Sequence, residues 1–584
     1  MAEVQGTQKM QSPCLKEVTQ VSPHRCCLSP LFNPPEPLHK ASKPRSSSAD
    51  CRRDFVARTS SCIFPNTQFT NHESLPSLQK SFSEFLNAYP QYAENFQIDQ
   101  IRAKEYYHLS LSSHVCLDYI GIGLFSYSQL QNQEESFNYE TASSSSPSRI
   151  LDIPFFSVSY KMGSLKTQLL HGGAESKLES TMKKKIMNFL NFSENDYSMV
   201  FTANRTSAFK LLAESYPFQS SQKLLTVYDC ESEAVEAMIN TSEKKGARVM
   251  SAEFSWPRLR IQSAKLKKMV VSQKNKKKGL FVFPLHSRVT GARYPYLWLR
   301  IAQENGWHVL IDACALGPKD MDSFGFSLFR PDFLICSFYK IFGENPSGFG
   351  CLIVKKSTLP ILEGEPSSGM VSLLPAKIKL EPEIEAKPTA IEAFKASENR
   401  GVENIEIECR GLDQVDSMGL TRISRRARCL INWLVNALLK LQHPSTDGVA
   451  LVKIYGPKIK FDRGPALAFN VFDWKGEKVE PVLVQKLADR TNISLSHGKL
   501  HNIWFSEKYQ REKDKALDKT GITESKKKDK KVPGISVVTT SLGFLANFED
   551  AYRLWAFVAQ FLDADFVEKA RWRYTALNQK KVEV

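Results

Sequence analysis

Apolar and polar positions change their period repeatedly along the middle of the chain. Between about residue 160 and residue 356, short apolar runs with strand character alternate with segments in which apolar residues recur at helical spacing. This alternation is typical of βαβ units on a mostly parallel sheet. The predicted strands are Ser198–Thr202, Lys223–Tyr228, Arg248–Ala252, Leu280–Pro284, His308–Asp312, Phe333–Ser337 and Gly350–Val354.

A second, smaller unit follows. The pattern predicts a helix at Arg422–Leu441, strands at Lys453–Tyr455 and Ala466–Phe472, and a closing amphipathic helix over 550–562. We therefore expect an α/β fold in which helices flank a mostly parallel central sheet, together with a smaller α+β domain. The expected organisation is a disordered N-terminal segment (1–75), a helical segment with the first strand (76–150), a large α/β domain (151–356), a flexible insertion (357–405), a small α+β domain (406–570) with a charged insertion (506–531), and a C-terminal tail (571–584).

Composition narrows the class of protein more than its activity. Of 584 residues, 42% are apolar and 24% are charged, as in globular proteins, and no apolar run reaches the about 18 residues of a membrane span. The twelve cysteines form neither CxxC pairs nor zinc-ligand spacings, so we expect neither a disulfide framework nor a metal site. No signal-peptide pattern opens the chain, and a cytoplasmic location is expected, with organellar targeting by the N-terminal segment left open.

The net charge of +16 raises the alternative of nucleic-acid binding. Lysines concentrate in residues 265–278 and 506–531, which lack the interleaved aromatic residues of a single-strand binding face. We favour solvated surface segments and keep a nucleic-acid partner as the weaker alternative, which salt-dependent retention on a polyanion would test.

One acid and one lysine come at the ends of two neighbouring strands of the predicted sheet. Asp312 ends the strand His308–Asp312, and Lys340 follows the strand Phe333–Ser337 closely. Ligands of open parallel sheets bind beyond the carboxyl ends of the strands. The pair suits pyridoxal phosphate, whose aldehyde forms a Schiff base with a lysine and whose ring nitrogen needs an anion. Alternatively, Lys340 only extends to solvent and Asp312 caps a helix, and two residues alone do not decide between these readings.

A third segment favours the cofactor. Phe201–Ala208 predicts the end of a strand, a small polar turn and a helix that opens at Thr206. A helix N-terminus binds phosphate through free backbone N–H groups, and the hydroxyls of Thr206 and Ser337 add donors. The alternative for Thr206 is a plain helix cap.

At this point the chain resembles the class V aminotransferase branch of fold-type I pyridoxal-phosphate enzymes. Within that branch it is most similar to the sulfurase domain of the molybdenum cofactor sulfurase and cysteine desulfurase-like family. The matching blocks, between about residues 110 and 565, are Cys116–Asp118 through Gly123, Phe201–Ala208, Thr290–Pro295, Leu310–Ala313, Ser337–Gly343, Pro346–Gly350, Cys409–Asp413, Gly464–Asn470 and Thr540–Gly543. The resemblance implies a fold-type I transferase, a homodimer, and pyridoxal 5'-phosphate held by Lys340, Asp312, Thr206 and Ser337.

The resemblance also marks departures around the cofactor. Glu231 stands where the family usually places a histidine over the ring, and Arg288 stands where it has an asparagine near the ring hydroxyl. We expect Glu231 to be catalytic with Lys340 and Asp312, and Arg205 and Arg288 to bind the cofactor with the residues above. A carboxylate does not stack as imidazole does, and near pH 7 it donates a proton poorly unless its pKa is raised.

The largest departure concerns sulfur. Sulfurases form a persulfide on a cysteine in a loop after an Ile-x-Leu strand, which here is Ile493–Leu495, and the loop is 496–502. Lys499 and His501 occupy the cysteine positions, and neither side chain stores a sulfane sulfur. Thr539 replaces the arginine that usually binds the substrate carboxylate.

Three hypotheses follow from these departures. The first is a pyridoxal-phosphate transferase or lyase that acts on a small amino acid or amine through a Lys340 Schiff base. The second is a cysteine desulfurase or sulfurase that uses an external thiol, and the third is a cofactor-binding scaffold or sensor without catalysis. The chain ends soon after the small domain, so direct action on molybdenum cofactor loses support.

Overall fold

A computed structural model of the chain describes residues 48–111, 113–118, 151–152, 156–173, 175–221, 223–271, 279–314, 329–338, 349–375, 407–408, 410–444, 449–518 and 533–579. The helices are α1 (Ser48–Cys62), α2 (Leu78–Ala88), α3 (Phe96–Glu105), α4 (His108–Leu111), α5 (Leu165–His171), α6 (Lys177–Phe189), α7 (Arg205–Ser215), α8 (Phe218–Ser221), α9 (Glu233–Lys244), α10 (Ser263–Val270), α11 (Leu297–Glu304), α12 (Arg410–Met418), α13 (Leu420–Leu439), α14 (Pro481–Arg490), α15 (Gln510–Ala516), α16 (Phe548–Ala559) and α17 (Ala564–Gln579). Short 3₁₀ turns lie at His72–Ser74, Pro90–Asn95, Lys356–Ile361, Glu507–Tyr509 and Gln560–Leu562.

The strands are β1 (Val115–Cys116), β2 (Leu151–Asp152), β3 (Phe156–Ser164), β4 (Tyr197–Thr202), β5 (Lys223–Thr226), β6 (Arg248–Ser251), β7 (Phe254–Ser255), β8 (Arg260–Ile261), β9 (Leu280–Pro284), β10 (His308–Asp312), β11 (Phe333–Phe338), β12 (Phe349–Lys355), β13 (Pro366–Pro375), β14 (Ile407–Glu408), β15 (Val452–Tyr455), β16 (Ala466–Val471), β17 (Ile493–Ser494), β18 (Ser496–Leu500), β19 (Ile503–Trp504) and β20 (Ile535–Ser541).

The central sheet has nine strands in the order β3-β13-β4-β12-β11-β10-β9-β5-β6. Five neighbouring strands, β11 to β6 in that order, are parallel, and β12 is antiparallel to both β11 and β4. Successive residues of β9 alternate between two apolar clusters, one on each face of the sheet. This burial on both faces explains why the strands read as continuous apolar runs. The expected α/β fold is confirmed, and all seven predicted strands are present with ends within two residues of those predicted.

A second sheet is antiparallel, in the order β15-β16-β20-β18. It packs on a separate apolar cluster that contains Trp433 of α13 and Trp555 of α16, both fully buried. The predicted helix over 422–441 and the predicted strands of this part of the chain are confirmed. The residue numbers at which we divide the chain into domains remain a prediction.

The structure differs from the predictions in two segments that composition marked as irregular. Helix α1 and the residues after it lie inside the segment predicted to be disordered, because aromatic residues there join the core: Phe64 stacks on Trp555 with ring centroids 5.2 Å apart. Strand β13 lies inside the predicted insertion 357–405 and pairs with β3 and β4. Residues 1–47 and 376–405 of these segments, and the charged residues 272–278 and 519–532, lie outside the described residues.

The first predicted strand, around Val115, also has an unexpected partner. As β1 it pairs in parallel with β17, and Ser541 of β20 donates to the carbonyl of Leu117. This segment therefore joins the second sheet region and not the central sheet. Within the described part of the chain, no helix is both long enough and apolar enough to cross a membrane.

Candidate active site

A cavity of about 450 Å³ opens at the carboxyl ends of the central strands, where ligands of parallel sheets bind. Its walls come from the residues that follow β4, β5 and β9, from the ends of β10 and β11, and from β18 and β20 of the second sheet. The volume lies within the roughly 300–1,000 Å³ of small-molecule sites. The cavity therefore has the place and size of a ligand site between the two sheets.

Asp312 is buried at the end of β10, and its carboxylate is held by three donors. Oδ2 accepts from Nη2 of Arg205 at 2.5 Å and from the hydroxyl of Tyr228 at 2.9 Å, and Oδ1 accepts from the N–H of Cys314 at 3.1 Å. Burial opposes ionisation, but Arg205 and these hydrogen bonds outweigh it, so the pKa of Asp312 is lowered. The carboxylate is an anion at neutral pH, with one of its about four acceptor positions left, on Oδ1.

Arg205, the first residue of α7, is the counter-ion of Asp312. Its Nη1 donates to Ser232 at 2.9 Å, and its guanidinium lies over the ring of Phe209, 4.9 Å from the centroid. Burial alone would lower the pKa of Arg205, but the negative charge of Asp312 raises it by more, so the pKa of Arg205 is raised. The guanidinium is therefore a permanent cation directed at Asp312, while the backbone of Arg205 opens the helix.

The N-terminus of α7 lines the cavity. Asn204 caps the helix, since its Oδ1 accepts a backbone N–H of the first turn at 2.8 Å. The N–H groups of Arg205 and Thr206 have no acceptor within the helix because of helix geometry. Strand β12 passes so close that a Cβ on Gly350 would lie 2.6 Å from Oγ1 of Thr202. The helix end therefore offers donors and a positive dipole end to an anion, with no space for a side chain at 350.

The turn after β9 is fixed by a second buried carboxylate. Ser287 and Thr290 donate hydroxyl hydrogen bonds to the two oxygens of Asp229, at 2.7 and 2.8 Å. Arg288 lies between these two residues, and its side chain is exposed to the cavity. Partial desolvation by the protein atoms around the cavity, and next the positive charge of Arg205, lower the pKa of Arg288. The turn thus presents a cation to the cavity, and that cation does not take part in the hydrogen bonds that hold the turn.

Glu231 and Lys499, two of the departures noted in the sequence, contact each other. The ammonium of Lys499 lies 3.0 Å from Oε1 of Glu231, and the backbone N–H of Glu231 donates to the carbonyl of Lys499 at 2.8 Å. His501 donates its backbone N–H to the backbone carbonyl of Asp229 at 3.0 Å. Burial is the main cause that lowers the pKa of the His501 imidazole. The carboxylate expected over the ring is therefore held by the segment expected to carry sulfur.

The expectation of a loop at 496–502 is wrong over most of its length. Residues 496–500 are strand β18, which pairs with β20 along its length, and β19 follows and pairs with β7. The strand is polar because it lies at the edge of its sheet, where backbone hydrogen bonds and not apolar side chains hold it. Ser496 and Thr539 are direct partners in this ladder.

The structure brings most of the predicted site residues together. Asp312, Glu231, Thr206, Ser337, Arg205 and Arg288 all line the one cavity. Lys340 follows the end of β11 by two residues and lies, with all of 339–348, outside the described residues. Met370 of β13 is buried and pairs with Thr202.

Sequence reasoning missed Tyr228, Ser232 and the hydroxyl pair on Asp229. Tyr228 ended a predicted strand, and this position at a strand end could have marked it as a candidate site residue. Its contact with Asp312 could not be predicted from the sequence. Among the described lining residues the cysteine is Cys230, which is buried, and burial raises the pKa of its thiol well above the usual value. No cluster of three or more His, Cys, Asp or Glu side chains in the described residues is arranged to hold a metal ion.

Three kinds of comparison bear on the family. The model of the class V aminotransferases matches residues 136–500. Molybdenum cofactor sulfurases of Solanum lycopersicum and Homo sapiens are 25% and 26% identical over 85% and 68% of this chain, which spans 60% and 43% of those proteins. A cysteine desulfurase from Thermococcus onnurineus NA1 is 15% identical with a TM-score of 0.49, over 80% of this chain and 98% of that one.

The chain thus spans about half of the length of the curated relatives named above. The family match covers well over half of the chain, from the region before β2 to the end of β18. The mixed, mostly parallel sheet agrees with the fold-type I architecture of that family. The chain therefore belongs to the class V aminotransferase family, whose cofactor is pyridoxal 5'-phosphate.

Proposed function

We propose that this chain is a pyridoxal-phosphate-dependent transferase or lyase that acts on a small amino acid or amine, with Lys340 as the residue that binds the cofactor covalently. The observation that carries the proposal is Asp312. It is a buried, ionised carboxylate at a parallel strand end, it borders a cavity, and it keeps one acceptor position. A ring nitrogen that carries a proton is the donor that this position suits.

The described residues fit this cofactor at both of its ends. The N-terminus of α7 and the hydroxyls of Thr206 and Ser337 supply donors for a phosphate on one side of the cavity. Asp312 supplies an acceptor for a ring nitrogen on another side. The absence of a Cβ at Gly350 keeps the turn before α7 free of side-chain crowding.

When bound here, pyridoxal phosphate supplies an electron sink for negative charge that develops on the substrate carbon next to nitrogen. Asp312 would pair with the ring nitrogen and favour its protonated form. Arg205 keeps Asp312 ionised, and its backbone N–H would be available to the phosphate. Lys340 would be the base that takes the proton from the substrate carbon, and Arg288 would be available to the ring hydroxyl.

Glu231 has a narrower role than a ring-stacking histidine. Its carboxylate lies 3.0 Å from the ammonium of Lys499, which holds it in place. Glu231 is therefore a positioning residue of this site.

Sulfur transfer through a persulfide on this chain finds no support in the described site. The position of the family cysteine is Lys499, in a strand paired along its length, and the Cys230 thiol is held protonated by burial. Because the thiolate and not the thiol is the nucleophile, Cys230 is a poor replacement.

A second candidate is a protein that binds the cofactor without turnover. The contact between Arg205 and Asp312 favours it, because a carboxylate that is already neutralised stabilises a protonated ring nitrogen less than a free one does. The two candidates share the cofactor site and differ only in reaction.

Borohydride reduction of the protein with bound pyridoxal phosphate, followed by denaturation and peptide mapping, tests the Lys340 assignment. We expect the cofactor to remain attached at Lys340, and to be released from Lys340→Ala but not from the surface control Lys268→Ala. Attachment that persists in Lys340→Ala contradicts the assignment.

Incubation with single amino acids and amines, with product analysis, then separates the two candidates. Conversion of any of them supports the transferase or lyase, and a spectrum unchanged by all of them supports binding without turnover. Sulfide release from cysteine would instead favour the desulfurase alternative.

We infer in addition that the chain is a homodimer, since enzymes of this fold type usually are. Light scattering at micromolar concentration measures the mass directly. A monomer contradicts this inference.

A further inference from the structure

Three of the five carboxylates that line the cavity have strong partners on this chain, while Asp118 and Glu233 form no ion pair with a described residue. Asp312 is paired with Arg205, and Glu231 is paired with Lys499. Asp229 is buried with a hydroxyl donor on each oxygen. Asp312 and Glu231 therefore already have a cationic partner each.

Arg288 is the cation of the cavity that has no such partner. Among the described lining residues the arginine and lysine side chains are Arg205 and Arg288. Arg288 forms no hydrogen bond or ion pair with any described residue, although its guanidinium carries five donors. A guanidinium in a partly desolvated cavity without an anion gains from an anionic ligand.

The backbone that carries Arg288 is rigid. The hydroxyl of Ser287 accepts the N–H groups of Val289 and Thr290, at 3.3 and 3.0 Å. Gly291 has a φ of +67°, and a Cβ there would lie 2.2 Å from the carbonyl of Ala466. The turn is therefore pressed against the second sheet, and Arg288 starts from a fixed position.

The turn of Arg288 also lies near the wall where β20 offers hydroxyl side chains and no charged group. Val289 and Thr539 both contact the position of Gly498, where a Cβ would lie 3.3 and 3.5 Å from their methyl groups. The turn of Arg288 thus reaches the face of β18 and β20 that borders the cavity.

We propose that Arg288 is the anchor for the carboxylate of the substrate, so that the substrate class is amino acids and not simple amines. The proposal rests on the proposed function of this site. A guanidinium binds a carboxylate through two parallel N–H···O bonds, and its five donors also allow contact with a ring oxygen. Arg288 is thereby a specificity-determining residue.

Titration of the cofactor absorption band tests the proposal with matched pairs: alanine and ethylamine, serine and ethanolamine, cysteine and cysteamine. We expect at least one amino acid to perturb the band at concentrations about 10-fold or more below its amine, since a charge-assisted pair contributes roughly a factor of 10 to 100. Arg288→Gln should remove this preference, and Arg288→Lys should keep part of it. Arg300→Gln, at an exposed position of α11, should change nothing.

A preference that survives in Arg288→Gln, equal responses to amines and amino acids, or no response to any amino acid overturns the proposal. A wild-type protein with no cofactor band contradicts the proposed function instead.

In that case the role of Arg288 can still be tested on the cofactor-free protein. Acetate and propionate should raise its melting temperature over chloride at equal ionic strength in the wild type and not in Arg288→Gln, and equal shifts in both overturn the assignment.

Discussion

Replacement of Arg205 by methionine distinguishes an arginine that neutralises Asp312 from one that binds the cofactor directly. The change removes the cation and keeps a chain of similar length over Phe209. Asp312 is then a carboxylate of 2% exposure that retains only the Tyr228 hydroxyl and the Cys314 N–H.

The expected cost in the cofactor-free protein is large. Two unit charges about 4 Å apart at an effective dielectric constant of 20 attract by about 4 kcal/mol, and breaking a buried pair by removing one partner costs roughly 3–5 kcal/mol. Because burial raises the pKa of an unpaired carboxylate, Asp312 will in part take up a proton, which keeps the loss near the lower end of this range.

Pyridoxal phosphate should restore part of that loss. A protonated ring nitrogen gives Asp312 a new partner, so the cofactor should raise the denaturant midpoint of Arg205→Met by more than it raises the wild-type midpoint, at equal free cofactor concentration. Urea unfolding with and without cofactor measures both quantities, with Arg300→Met as a surface control.

The opposite ordering refutes this account. If the cofactor stabilises Arg205→Met less than the wild type, the guanidinium contacts the cofactor itself. Asp312→Asn with Arg205→Met completes a double-mutant cycle. A coupling near zero would show that the contact at 2.5 Å contributes nothing to stability.

Three further predictions follow from the same contacts. Gly350→Ala, whose new Cβ would lie 2.6 Å from Oγ1 of Thr202, should lower cofactor affinity and cost about 1–3 kcal/mol by overpacking, and unchanged affinity by fluorescence titration would count against the phosphate site. The pair of Glu231 and Lys499 is partly exposed, so a double-mutant cycle by urea unfolding should give a coupling of at most about 1 kcal/mol, and a much larger value would show a buried role. The pKa of His501 is lowered in the folded state, so below the unfolded-state pKa of about 6.5 the unfolded chain binds more protons than the folded chain does. The free energy of unfolding should therefore fall from pH 7 to pH 5.5, and it should fall less in His501→Gln. An equal fall in both proteins would contradict this.

The sequence predicts the order of strands and helices better than it predicts the contacts between side chains. Strands that are buried on both faces of a sheet appear as continuous apolar runs, so Asp312 could be placed at the end of one of them. Its partner Arg205 is 107 residues away, and no periodicity links two such positions. Composition misled at β13, where the proline- and lysine-rich character of the following residues was extended over a real strand. It also misled at β18, since an edge strand with polar side chains has no apolar alternation to find.

The charges at the strand ends have one further consequence for the lysine. Five carboxylates line the cavity together with Arg205 and Arg288, so its net charge does not by itself set the pKa of an amine there. Arg288 has no carboxylate partner among the described contacts, and a positive charge beside an amine lowers the pKa of that amine because the protonated form is repelled. Arg288 therefore favours the neutral form of an amine next to it, which a lysine needs both to attack a carbonyl and to remove a proton. Arg288→Gln should accordingly raise the pH at which the protein forms its covalent link to pyridoxal phosphate, and an unchanged pH profile would show that Arg288 acts on the substrate alone.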